Sequence, residues 1–268
     1  YAKKYSKNKI LDISNNNVKK IIKKRKIDTI IHLASFTCVR ESIKKRNRYL
    51  KNYESQIKFI KNIKKTNIKY FIFSSSLSVF EKNKFKKNLS PYSMYKLKIE
   101  RYLKTISAKN FKVIILRYPN IIGSDPSGKL GENNDHITRI VPLFYKNLIK
   151  MKKNILYYDY DKKIFPSRNY MHVEDIANIN LKVIENLEKF KNDYYIFNIK
   201  NKKEYSNSEV LGSLSKILNK KPIIEFKQIN NKESISQNVD LKNDILKMIK
   251  YRIKYQDLKK ILQSNSKW

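Results

Sequence analysis

The stretch that most constrains this chain runs from Lys69 to Arg101 and reads KYFIFSSSLSVFEKNKFKKNLSPYSMYKLKIER. An apolar run, Tyr70-Phe71-Ile72-Phe73, ends in three serines, Ser74, Ser75 and Ser76. Bounded by polar residues, it has the form of a buried strand. After a polar loop, Ser90 and Pro91 supply a helix cap and a first-turn proline. Tyr92 and Lys96 follow four residues apart. Such residues share a helix face, so the Lys96 ammonium is expected near the Tyr92 phenol. A free tyrosine titrates near pH ~10, and a neighbouring cation favours the phenolate. The pair is therefore a proton-transfer group usable near neutral pH. A serine hydroxyl at the strand's end could bond the same substrate oxygen. In a chain with 19 tyrosines and 60 lysines and arginines, Tyr-x-x-x-Lys alone carries little. The serine-ended strand just upstream is what gives it weight.

Strands and helices alternate around this stretch. After Leu11-Asp12-Ile13-Ser14, the periodicity predicts a helix over Val18–Lys26, a strand over Ile27–Ala34 and a helix over Arg48–Lys65. A strand at Tyr70–Ser75, a helix at Tyr92–Ser107 and a strand at Phe111–Arg117 come next. This order predicts an α/β fold with a parallel sheet and right-handed crossovers. Ligands of such sheets bind outside the carboxyl ends of the strands, where Ala34, Ser35, Ser74 to Ser76 and Tyr118 fall. Residues 120–136 read as loop and hold Gly123, Gly128 and Gly131, three of the four glycines. Beyond them come a helix over Val141–Met151, a strand end and helix within Tyr170–Asn186, and a strand over Tyr194–Ile199. Helices over Ser208–Leu218 and Leu258–Leu262 complete the pattern. Two domains are expected, 1–122 and 123–268, with segments near 166–200 returning to the first.

Composition removes several classes of function. Hydrophobic residues make up 41% of the 268, enough for a core. No apolar run approaches the ~20 residues of a membrane span. The first residues carry no apolar signal core, and the single cysteine, Cys38, fits a reducing cytoplasmic compartment. Net charge is +37. The lysines are spread along the whole chain with Asn and Ile, as codon drift toward AT-rich DNA would leave them, so nucleic acid is not the expected partner. Among the three histidines, His32 lies within a strand and reads as packed core, His172 as structural and His136 as solvated loop. With one cysteine they offer no metal spacing, and Cys38 has no paired base to make it a nucleophile.

The motifs keep one order along the chain: Asp12-Ile13, IDTIIHLAS ending at Ser35, Val39-Arg40-Glu41-Ser42, Asn52, FSSSLSVF from Phe73 and Tyr92-x-x-x-Lys96. LRYPNIIG from Leu116, PSGKLGE from Pro126 and SRNYMHVEDIA from Ser167 follow. In that order the chain resembles the extended short-chain dehydrogenase/reductases, in the NAD-dependent epimerase/dehydratase branch and there the UDP-glucose 4-epimerases. The resemblance implies a Rossmann-like parallel sheet with a smaller C-terminal α/β substrate domain, NAD as cofactor and a homodimer. It implies C4 epimerisation of a UDP-hexose, interconverting UDP-glucose and UDP-galactose. Tyr92 would take the 4-hydroxyl proton, Ser76 would orient the 4-oxygen, and Lys96 would bond the nicotinamide ribose. Asp12 and Ile13 match adenine positions. Leu33, Ala34, Ser35, Asn52, Ser74 and Tyr118 match positions around the ribose, pyrophosphate and nicotinamide. Ser78, Asn120, Arg139, Ile140, Tyr158 and Arg168 match positions at the UDP-sugar, with the Arg168 fork suited to the diphosphate.

Two other readings remain open. One is another nucleotide-sugar epimerase or dehydratase of the same superfamily. A dehydratase is disfavoured because Leu77 and Ser78 follow Ser76 and no carboxylate comes before Glu81. The other is a non-catalytic, lysine-rich binding protein on a decayed scaffold. The chain also departs from the family pattern. Asn230 and Glu233 stand where an arginine and an aspartate are usual, and Thr37 where a lysine is common. Asn169 replaces an aspartate, and Lys200 and Asn201 replace glycines. The family's first strand, its Gly-x-x-Gly-x-x-Gly turn and its second strand have no counterpart. The expectation is therefore a fragment preceded by roughly 40–50 residues of a strand–turn–helix–strand unit, which as given binds NAD poorly and tends to aggregate.

Overall fold

Apolar runs bounded by polar turns become alternating helices and strands. The structure, a computed structural model, describes residues 12, 13, 15, 17–80, 89–132, 139–229 and 244–264. Asn230, Glu233, Glu81 and His136 lie outside the described residues. The chain divides into two units, the first formed by Tyr1–Val79, Leu89–Arg117 and Leu187–Phe197.

The first unit carries α1 (Asn17–Lys24), β1 (Thr29–His32), α2 (Val39–Lys44), α3 (Arg46–Ile63) and β2 (Tyr70–Ser76). After a helical turn at Leu77–Phe80 come α4 (Pro91–Ile106), β3 (Lys112–Tyr118) and, later in the chain, β7 (Tyr194–Asn198). The strand order is β1-β2-β3-β7. β1 and β2 are parallel, with Thr29 opposite Tyr70 and His32 opposite Phe73. A parallel strand covered on both faces must be apolar throughout, and Phe71 to Phe73 and Val113 to Leu116 are all fully buried. Ile60 and Ile63 of α3 and Ile99 and Leu103 of α4 share one core with Phe71, Phe73, Val113 and Ile115. Truncating one such side chain to alanine costs ~2–5 kcal/mol. Helix α4 begins as the sequence predicts: Ser90 Oγ accepts the Ser93 amide at 3.2 Å, and Pro91 occupies the first turn.

The second unit comprises Phe80–Asn88, Tyr118–Asn186 and Asn198–Trp268. Its elements are β4 (Asn120–Ile122), α5 (Ile140–Ile149), β5 (Lys153–Tyr158), β6 (Ser167–His172) and α6 (Val173–Glu185). β8 (Glu204–Ser206), α7 (Asn207–Leu218), β9 (Ile223–Gln228), α8 (Asp244–Met248) and α9 (Leu258–Gln263) follow. β4 runs parallel to β6, and β8 antiparallel to it. β5 pairs with β9 in a separate parallel ribbon. Phe144, Leu156, Tyr170, Leu211, Leu214 and Ile261 belong to the core. No described helix is long and apolar enough to cross a membrane.

The loop expected from residue 120 is corrected at its start, because Asn120 to Ile122 pair with Tyr170 to His172. A three-residue strand has no periodicity to read. β5 and β9 were not anticipated either. β9 is exposed along most of its length, so its order comes from backbone pairing and not from an apolar pattern.

Gly123 sits at φ +100°, and a Cβ there would lie 2.5 Å from the buried His172 ring. Left-handed backbone and a clash with a fixed ring act together. Gly123→Ala should lower the urea midpoint by the equivalent of about 2 kcal/mol or more. An unchanged midpoint would show that the β4 exit can shift away from His172.

Candidate active site

The end of β2 and the first turns of α4 bring the predicted proton-transfer residues together. Lys96, only 4% exposed, donates from Nζ to the Ser74 carbonyl at 2.7 Å. Its ammonium lies 4.7 Å from the centre of the Phe73 ring and 6.0 Å from that of Tyr92. Burial pushes the Lys96 pKa down to about 7, with the Glu100 carboxylate acting in the opposite sense. Tyr92 is held from behind, where its amide donates to Ser42 Oγ at 3.2 Å. Ser76 Oγ accepts the Ser78 amide at 3.1 Å. An accepting hydroxyl keeps its own O–H to donate.

A shallow depression opens beside these residues, lined among others by Ser35, Asn52, Gln56, Tyr92 and Lys96. Gln56 orders its floor. Its Nε2 donates to Asn52 Oδ1 at 2.9 Å, and its Oε1 accepts from His32 Nε2 at 3.2 Å. His32 stacks against Phe59, Phe71 and Phe73, the packed core histidine expected from sequence. Burial, and then the Lys96 charge, lower its pKa to about 4, so it serves as a neutral hydrogen-bond donor.

The remaining predicted residues divide by unit. In the first, Ser35 and Asn52 line the depression. Leu33 and Ala34 are exposed just after β1, Asp12 is exposed, and Ile13 packs against the core. Ser78 is 3% exposed, and its Oγ accepts from Ser93 at 3.0 Å, fastening the segment after β2 to α4. In the second unit, Tyr118 is buried and its OH donates to Asn180 at 2.9 Å. Asn120 is exposed, and Ile140 packs against the second core. Arg139 pairs with Glu132 at 3.2 Å. Tyr158 is half-buried beside Phe165, ring centres 4.7 Å apart. Arg168 is half-buried and donates to the Ser167 carbonyl.

His172 is structural, as expected. Its Nδ1 accepts the Glu174 amide, its Nε2 bonds Ser264 Oγ at 2.9 Å, and its ring stacks on Tyr255 at 3.7 Å. Cys38 Sγ caps α2 by accepting the Glu41 amide. No metal-binding cluster exists among the described residues. Sequence reasoning missed Gln56, Ser42 and Glu100, three polar residues buried inside the fold. The legible sign for Glu100 is a carboxylate flanked by Ile99 and Leu103 on the apolar stripe of α4.

A family model described as the NAD dependent epimerase/dehydratase family matches residues 2–199. The chain is 30% identical over 213 residues to the UDP-glucose 4-epimerase of Lactobacillus helveticus, an alignment spanning 75% of this chain and 64% of that protein. The fold is similar to UDP-glucose-4-epimerase from Stenotrophomonas maltophila, crystallised with NAD and formylated UDP-arabinopyranose. That likeness has a TM-score of 0.86 at 18% identity over 96% of this chain and 81% of that one. It is also similar to the UDP-Glc/GlcNAc 4-epimerase of Campylobacter jejuni, with a TM-score of 0.76 at 26% identity over 95% and 81%. These likenesses bear out the Rossmann-like α/β expectation.

The burial of Lys96 has a consequence measurable without any ligand. The folded chain releases this proton near pH 7, whereas an unfolded lysine holds it to 10.5. Between those values the unfolded state binds more protons, so this group's contribution to stability rises with pH. Below pH 7 both states are protonated and the full cost of a buried cation applies. Relative to Lys96→Met, the wild-type urea midpoint should therefore rise from pH 7 toward 10. A difference independent of pH would show that Lys96 is solvated.

Proposed function

Because the chain belongs to the NAD dependent epimerase/dehydratase family, we propose that it acts in C4 epimerisation of a UDP-hexose, interconverting UDP-glucose and UDP-galactose. The observation that supports this best is the buried Lys96 ammonium beside the Tyr92 ring, at the end of a strand whose Ser76 keeps an O–H to donate. The same lysine is the test of fit for NAD. Among the described residues, Nζ gives one hydrogen bond, to the Ser74 carbonyl, while the side chain lines the depression. A buried ammonium with donors to spare is costly unless further oxygens reach it, and ribose hydroxyls are suited to do so. Ser35 and Asn52 would hold the rest of the cofactor on the first unit.

When bound, NAD would supply the redox chemistry, taking a hydride from C4 and returning it to the other face of the 4-keto sugar. The chain's own residues manage protons and position. Tyr92 takes the proton of the 4-hydroxyl and gives it back. Ser76 donates to the 4-oxygen and fixes its direction. Lys96 places a positive charge beside Tyr92 and so favours the phenolate that accepts the 4-hydroxyl proton. In the second unit, Arg168 would pair with the diphosphate, and Tyr158 with its aromatic neighbours would face the nucleotide. A dehydratase would need an acid after Ser76, where Leu77 and Ser78 are both buried.

A coupled assay of UDP-galactose turnover on the complete gene product tests the proposal. The likeness to the Campylobacter jejuni enzyme makes UDP-GlcNAc the second substrate to try. Tyr92→Phe keeps the ring and removes the proton acceptor, so turnover should fall on the order of 10²-fold or more. Retention of most of the rate would place the base elsewhere. Arg168→Leu should raise KM for the sugar nucleotide while leaving bound NAD unchanged. Equal loss of both ligands would make Arg168 a residue of the fold.

A further inference from the structure

Beneath Lys96 lies a charged network that the proton-transfer chemistry does not itself use. Glu100, one helical turn after Lys96, is 1% exposed. Ser75 Oγ donates to its Oε1 at 2.5 Å, and Arg117 reaches it with both arms of the fork, Nε to Oε1 at 2.9 Å and Nη2 to Oε2 at 2.5 Å. Successive residues of β2 thus grip successive turns of α4: the Ser74 carbonyl holds Lys96, and the Ser75 hydroxyl holds Glu100. From β7, Tyr194 OH donates to the Glu100 carbonyl at 3.4 Å. Arg117 belongs to β3, so two strands converge on the carboxylate and a third on the backbone of the same residue.

We propose that Glu100 is a positioning residue for Lys96, its carboxylate fixing the lysine's helix turn against β2 and supplying the negative charge that keeps the ammonium charged at the pocket. The inference deepens the epimerase reading and rests on it only for the use made of that charge. The charged and titratable groups around Lys96 are His32 from β1, Tyr92 and Glu100 from α4, and, around Glu100, Arg117 and Tyr194. His32 is held neutral by burial. Glu100 is therefore a buried counter-charge that Lys96 and Arg117 share. Burial draws Lys96 toward the neutral amine and Glu100 opposes it, leaving the midpoint near pH 7. At that balance, a modest change in the local field decides whether the group is a cation.

The two ends of the ion pair give the test its sign. Glu100→Gln and Arg117→Met break the same salt bridge and disturb the same packing. Electrostatically they are opposites. The first takes the carboxylate away from both Lys96 and Arg117, and the second leaves Lys96 with the carboxylate but without the guanidinium. The lysine can be followed by NMR against pH in protein carrying isotope-labelled lysine, with its signal assigned by its loss in Lys96→Met. Glu100→Gln should lower the Lys96 midpoint by about one pH unit or more, and Arg117→Met should raise it. Shifts in the same direction, or none, would overturn the proposal. Should a single variant fail to fold, the double Glu100→Met/Arg117→Met removes both charges together, which buried pairs tolerate. Its Lys96 midpoint should still fall below that of the wild type, and an unchanged midpoint would overturn the proposal. This signal reads the lysine directly. Opposed shifts in a chain that turns over no UDP-sugar would uphold the role of Glu100 and count against the epimerase reading alone.

Discussion

A buried ammonium dictates much of the first unit. Moving a lysine charge out of water costs several kcal/mol even after relaxation, so the fold must gather what offsets it. Phe73 offers a ring face at 4.7 Å, Ser74 a carbonyl at 2.7 Å, and Glu100 a carboxylate one turn along the helix. All three come from the stretch from Lys69 to Arg101, two from the end of β2 and one from α4. That is why the apolar run must end where it does. One residue further along the strand would exchange the side-chain directions of Ser74 and Ser75. It would then turn the Ser75 side chain away from Glu100. The tyrosine is secondary in this sense: its place follows from the turn that Lys96 and Glu100 fix.

The second unit uses the same device without the chemistry. Asp175, fully buried at the start of α6, accepts from Tyr251 OH at 2.6 Å, from the Lys254 amide at 2.8 Å and from the Tyr255 amide at 3.0 Å. Glu174 beside it accepts from Tyr255 OH and Lys254 Nζ. One acidic pair thus ties the segment from Tyr251 to Tyr255 to α6. In a chain of net charge +37, carboxylates are the scarce partner. Exposed pairs such as Lys182–Glu185 contribute ~0–1 kcal/mol each. The carboxylates that order structure are the few withdrawn from water.

Most of the first unit could be read from the sequence because parallel strands covered on both faces leave continuous apolar runs, and α3 and α4 leave a period of 3.6. Tyr92 and Lys96 were legible through their spacing and the capped helix start at Ser90. Glu100 was missed although Ile99 and Leu103 flank it, because a carboxylate among Lys98, Arg101 and Lys104 also reads as part of a solvated face. Only the position of Arg117 on the neighbouring strand, a tertiary fact, turns it inward. The bond between Ser78 and Ser93 was hidden for a related reason: motif order gives a residue's place along the chain, and the Ser93 hydroxyl is contributed by another element. β4, β5 and β9 escaped because short or exposed strands are fixed by their partners more than by their own residues.

Two departures from the family pattern explain one another. Asn169 stands where the family usually has an aspartate, and Asn201 where it usually has a glycine. In the structure Asn169 is buried, its Oδ1 accepts the Asn201 amide at 2.8 Å, and its Nδ2 donates to the Asn201 carbonyl at 2.9 Å. A carboxylate offers acceptors only. An aspartate here would bond the amide and face the carbonyl with like charge, at the cost of an unsatisfied buried group. The side-chain amide matches both backbone groups at once. Asn201, 1% exposed, donates in turn from Nδ2 to the Tyr255 carbonyl at 3.2 Å, a bond that a glycine could not make. Tyr255 stacks on His172, the ring that Gly123 must clear. The substitutions that look like erosion when read singly therefore form one hydrogen-bonded path, from β6 through Asn201 to the segment that Asp175 and Glu174 hold down.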